Sequence, residues 1–143
     1  MLGLIRYTVE LCPEVKGQLM LNGKPVPNQL IQRGLTLENE EIDEAYTDEF
    51  GFYSFSAKSI KSRKPGSIFY ESMIRVVIVT HFKSHHHTLW FGFQHGLKTP
   101  IELQKRLINL NADLSAEEIK HQIVDSEAPS GEHNISSICR WTN

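Results

Sequence analysis

Apolar and polar residues alternate with a period of two along several short stretches, and this predicts strands. From Val15 to Leu21, Val15, Gly17, Leu19 and Leu21 fall on one face and Lys16, Gln18 and Met20 on the other, as in a strand with one buried face. Asn22-Gly23 follows, a dipeptide that closes tight turns because both residues tolerate positive φ. Pro25 and Pro27 make the next stretch a turn or an edge, and Leu30-Ile31 opens a further strand. Asp48-Glu49-Phe50-Gly51 fits a type I turn. Phe52 to Ala57 returns from it, with Tyr53, Phe55 and Ala57 opposed to Phe52, Ser54 and Ser56.

The strongest hairpin pattern pairs Ile74–Phe82 with His85–Phe93 around Lys83-Ser84. An unbroken even register puts Ile74, Val76, Ile78, Thr80 and Phe82 on the core face with His87, Leu89, Phe91 and Phe93. The opposite face then carries Arg75, Val77, Val79, His81, His86, Thr88 and Trp90. One helix is expected after Thr99-Pro100-Ile101-Glu102, which reads as a capping box with proline at the first helical position. Asn109–Leu114 is a possible further strand, and Ser115–Glu118 a cap for a second helical turn. Residues 126–137 are polar and contain Pro129 and Gly131, so they read as a loop or loose arm. Ile138-Cys139-Arg140-Trp141 is apolar enough to dock back. The expected fold is therefore mainly β: a two-sheet antiparallel β-sandwich with one or two short helices. It forms one domain over 1–143, with 126–143 as a C-terminal arm.

Composition narrows the classes of function. The 143 residues are 40% apolar and 22% charged, enough to bury one core and too apolar for disorder. A net charge of −2 gives no reason to expect nucleic acid as a partner. The longest apolar runs fall far short of the about 20 residues of a membrane span. The first residues lack the pattern of an export signal, so the expected location is cytoplasmic, or periplasmic had a signal been removed. Cys12 and Cys139 match no zinc-finger spacing and read as separate thiols in a reducing compartment.

Three stretches carry a resemblance. They are Glu14-Val15-Lys16-Gly17, then Leu21-Asn22-Gly23-Lys24-Pro25-Val26, then Thr47-Asp48-Glu49-Phe50-Gly51-Phe52-Tyr53-Ser54-Phe55. Together they resemble the carboxypeptidase regulatory-like, or transthyretin-like, β-sandwich. The whole chain, with its loop from Lys58 to Ser67 and its terminal Ser137-Ile138-Cys139-Arg140-Trp141, looks like a group of small proteobacterial proteins with that sandwich. Some small proteins of this sort are encoded near secreted toxins, so the resemblance implies an accessory or immunity role. The hydrolases of the fold use histidines, an arginine and a C-terminal Tyr-Arg-Gly-Ser. This chain ends Cys139-Arg140-Trp141-Thr142-Asn143 and has no histidine in Val15–Leu21, which counts against that activity.

Candidate chemistry remains at four places. Glu38, Glu40, Glu41, Asp43 and Glu44 form an acidic surface suited to a basic partner. Lys61, Arg63 and Lys64, in a basic loop from Lys58 to Gly66, form a second surface, and an exposed Trp90 would anchor an interface. His81, His85, His86 and His87, with His95 nearby, offer imidazoles, and His81 faces His86 if the hairpin loop is even. A zinc site would need a third ligand. Cys139 follows His133, but no protease signature surrounds it. No phosphate-binding loop, dinucleotide fingerprint or nucleophile elbow is present. The expectation is a non-catalytic module that binds another protein, a toxin or effector, without cofactor. The alternatives are a histidine-cluster metal-binding protein or hydrolase, and a structural adaptor.

Overall fold

A computed structural model describes residues 7–62, 73–125 and 131–141. The chain is mainly β, and its sheets pack as a sandwich around a single apolar core. The larger layer has six strands in the order β11-β12-β9-β8-β4-β5, all antiparallel. They are β4 (Leu30–Thr36), β5 (Glu40–Tyr46), β8 (Ile74–Phe82), β9 (His85–Gln94), β11 (Ile119–Val124) and β12 (Glu132–Ser137). Facing it, β2 (Val15–Leu21) pairs antiparallel with β3 (Lys24–Pro25) and β6 (Phe52–Phe55), and parallel with β10 (Ala112–Asp113). A two-stranded ribbon of β1 (Tyr7–Cys12) and β7 (Lys58–Ser62) completes this side. Val9, Leu19, Ile31, Ile78 and Leu89 meet in the core at no exposure.

Local chemistry explains the agreement with the sequence in β2, β4 and the turns. Asn22 and Gly23 both take positive φ, 52° and 79°, and the β2–β3 hairpin closes there. In the next turn the Gly51 N–H donates to the Asp48 carbonyl at 3.0 Å, and Asp48 Oδ1 accepts the N–H groups of Phe50 and Phe52. Gly51 has φ +83°, and a Cβ there would lie 2.4 Å from the Leu19 carbonyl oxygen. Gly17 is required for a different reason: its Cβ would lie 1.9 Å from the Leu110 oxygen, where the chain crosses β2.

The expected unbroken register of the β8–β9 hairpin is corrected. It holds near the tip, where His81 opposes His86 and Thr80 opposes His87, and shifts by one residue between Ile78 and Val79. Val79 then opposes Thr88 while Ile78 opposes Trp90, so Leu89 is the extra residue of a bulge. Beyond it every side chain of β9 changes face. Trp90 points inward and is 1% exposed, whereas Phe91 and Phe93 point outward at 38% and 41%. Trp90 is thus a core residue, not a surface anchor.

Three smaller expectations are also corrected. The basic loop begins as a strand, β7, because Lys58–Ser62 pairs with β1. The arm forms β12 from Glu132, inside the main sheet, with Ile135 and Ser137 buried. Helix α1 (Ile101–Leu107) has Pro100 at its N-cap and no side-chain cap. Thr99 instead donates its N–H to Glu10 Oε1 at 3.1 Å and accepts a bond from Gln94 Nε2 at 2.9 Å. Glu102 is held by Lys105 and Arg106. Ser115–Glu118 forms no helix, the chain turning at Leu114–Ser115 and bending at Ala116, so α1 is the one helix among the described residues.

Asp113 ties β10 to the β2–β3 turn. Its carboxylate accepts the N–H groups of Asn22, Gly23 and Ser115 and the Ser115 hydroxyl. Partial burial raises its pKa, but these hydrogen bonds together outweigh that and hold it at about 2. The folded value lies below the ordinary 3.8, so the stabilisation is complete above pH 4 and is lost as pH falls toward 2. Urea unfolding of the wild type and Asp113→Asn at several pH values checks this. The gap between them should be full at pH 5 and should close toward pH 2; a constant gap would refute the assignment.

Candidate functional site

The outer face of the six-stranded sheet carries an apolar row that no other element covers among the described residues. Ile42, Gly34, Val77 and Phe91 sit directly opposite one another on β5, β4, β8 and β9. Gly34 contributes no side chain, so Ile42 (60% exposed) and Phe91 form the walls of a shallow groove of about 420 Å³. Phe93 packs edge-on against Phe91, their ring centres 5.6 Å apart. One end is closed by the Arg75–Glu40 ion pair at 2.9 Å, and the other runs toward Val79 and His86.

Strand alternation divides the acidic surface expected from the sequence. Glu40 and Glu44 point outward beside the groove, where Glu44 accepts a bond from Gln32 Nε2 at 3.1 Å. Glu38 is exposed in the turn before β5. Glu41 and Asp43 point the other way. Glu41 lies 3.6 Å from Lys58, and Asp43 binds Arg33 through both carboxylate oxygens at 3.0 and 2.6 Å. Arg33 is 1% exposed, donates to the Ser56 carbonyl at 3.0 Å and lies over the Phe55 ring. Asp43 is therefore the counter-ion of a buried arginine, its side chain turned from the groove and still 34% exposed. On the basic side, Lys61 donates to the Thr8 hydroxyl at 2.6 Å, while Arg63 and Lys64 lie outside the described residues.

The histidines gather at the β8–β9 tip as expected. The rings of His81 and His86 stand 5.0 Å apart, one edge toward the other. His87 has its pKa lowered first by burial, then by His85, His86 and His81. Among the described residues no three His, Cys, Asp or Glu side chains are placed to hold one metal ion. The cluster offers a facing pair, short of the three protein ligands of a catalytic zinc.

A family model described as a domain of unknown function (DUF6795) matches residues 15–117. The chain belongs to this family. No curated protein and no solved structure matches it. The DUF6795 match runs from the start of β2 past β10, so it contains the whole apolar row and the histidine pair, while β11 and β12 lie beyond it.

Neither cysteine of this DUF6795 chain is placed for nucleophilic work. Both are free thiols, fully buried. Burial pushes Cys139 up to about 12, against smaller opposing effects of the Ser137 hydroxyl and Arg140. Burial likewise pushes Cys12 up to about 11, although Arg33 draws it down. A reactive thiol needs an exposed, electropositive setting and a depressed pKa. Among the described residues no helix is long and apolar enough to cross a membrane.

Proposed function

We propose that this chain is a non-catalytic protein-binding module that docks its partner on the outer face of the six-stranded sheet. The observation that carries this reading is the row Ile42–Val77–Phe91 on the outer face, with Ile42 and Phe91 exposed, bordered by Glu40 and Glu44. An apolar centre with a charged rim is the usual anatomy of such a surface. The acidic rim fits a partner segment that offers an apolar anchor flanked by lysine or arginine. Among the described residues β5 is the edge strand, and its free side adds backbone groups beside the groove that an extended segment can engage. The resemblance to transthyretin-like sandwiches, carried by residues 14–55, supports an accessory or immunity protein whose partner is a secreted toxin or effector.

The test is affinity capture from the native host with a histidine-free tag, comparing the wild type with Ile42→Asp and Phe91→Asp. One stoichiometric protein should be captured by the wild type and lost from both variants. Its affinity should fall by at least tenfold in each, on the order of 1.4 kcal/mol or more. A partner that both variants retain would overturn the assignment of this face.

A further inference from the structure

A second surface lies at the β11 edge of the sheet, away from β5, and shares no residue with the apolar row or its acidic rim. Lys105 and Arg106 come from the last turn of α1, Lys120 from β11, and Arg140 from the segment after β12. They border two adjoining depressions of about 690 and 290 Å³ that share Arg106 and Trp141. Among the described residues Glu102 is the one carboxylate that lines either depression. In a chain of net charge −2 this is a local reversal of sign.

The hydrogen bonds here position these cations without neutralising them all. Glu102 serves both Arg106, at 2.8 Å, and Lys105, at 3.2 Å. Among the described residues Arg140 donates to backbone carbonyls alone, those of Ile138, Cys139 and Glu117. Lys120 is exposed and has no carboxylate within ion-pair distance among the described residues. Trp141 is fixed between them, its indole N–H donating to the carbonyls of Arg106 at 3.2 Å and Asn109 at 3.0 Å. The His121 ring stands 4.9 Å from it, with Nε2 buried and without a hydrogen-bond partner among the described residues. Burial lowers the His121 pKa most; backbone hydrogen bonds with Ser137 and Cys139 oppose this, and Arg140 and Arg106, from different elements, add to it.

We propose that this surface binds a phosphate-bearing small molecule. Its phosphate would lie among Arg106, Lys120 and Arg140, and its organic part against Trp141. Guanidinium groups match oxyanions in geometry, and a phosphate monoester carries close to two negative charges at neutral pH. The larger depression is of the size of small-ligand sites. This inference does not rest on the partner face and can fail without it.

The experiment is an NMR titration of the intact chain with inorganic phosphate, phenyl phosphate and phenol. Phenyl phosphate should shift the Trp141 indole N–H and the His121 ring resonances saturably, with a Kd of about 1 mM or tighter. Phosphate should bind more weakly at the same place, and phenol should not bind. The bound anion should also raise the His121 pKa. Arg140→Gln and Lys120→Gln, both at exposed positions, should each weaken phenyl phosphate by about tenfold while leaving the spectrum folded. The absence of any saturable shift, binding of phenol as tight as that of phenyl phosphate, or unchanged affinity in both variants would overturn the proposal.

Discussion

Trp90→Ala is expected to cost about 3–5 kcal/mol of stability, whereas Phe91→Ala, one residue along the same strand, should cost less than about 1 kcal/mol. Trp90 is 1% exposed and packs edge-on against Trp141 at 6.0 Å, so truncation opens a large cavity in the core. Phe91 stands on the outer face and leaves no cavity behind it. Urea unfolding followed by far-ultraviolet dichroism makes the comparison, because the two tryptophans are the fluorescent probes and one is being removed. Trp90→Phe, with a smaller loss of about 1–3 kcal/mol, keeps the test usable if the alanine variant does not fold. An unbroken hairpin register predicts the opposite order of costs for Trp90 and Phe91. Gly92 supports the shifted register independently: it lies on the inner face, and a Cβ there would come within 2.2 Å of Ile135 Cδ1.

What could be read in the sequence was what is encoded locally. Val15–Leu21 shows its alternation, Asn22-Gly23 and Asp48–Gly51 carry their turn chemistry, and the β8–β9 tip brings His81 opposite His86 as its even loop requires. The bulge at Leu89 was not legible, because Leu89, Trp90, Phe91 and Phe93 put apolar residues on both faces of β9 and inserting one residue leaves no compositional mark. The β1–β7 ribbon was missed because it joins residues some fifty apart, Tyr7 to Ser62. The composition of β12 is that of a loop, and it becomes a strand only between β9 and β11. The cations around Trp141 are scattered from Lys105 to Arg140 and converge only through the fold. One missed feature did carry a signal. Ile31, Arg33 and Leu35 share a parity, so a charged residue lay on a face otherwise apolar. A hairpin turning near Glu38 places Asp43 directly opposite it.

That pair should produce an asymmetric result. Asp43→Ala leaves the Arg33 guanidinium buried without a counter-charge, and arginine cannot shed its proton to escape the cost. The expected loss is about 3–5 kcal/mol. Arg33→Met removes the charge that is hard to bury and puts an apolar chain of similar length beside Phe55. It leaves Asp43, whose side chain is 34% exposed and can be hydrated, and the Ser56 carbonyl without its donor. The expected loss there is smaller, about 1–2 kcal/mol. The double variant Arg33→Met with Asp43→Ala should then be more stable than Asp43→Ala alone, since no orphaned charge remains. Urea midpoints at neutral pH decide among these. If Arg33→Met proved as costly as Asp43→Ala, with no recovery in the double variant, packing by the arginine stem rather than the orphaned charge would be setting the stability. The same measurement separates the roles of the acidic residues on β5. Glu40→Gln and Glu44→Gln, on the outward face, should each change stability by less than about 0.5–1 kcal/mol and act on partner affinity instead.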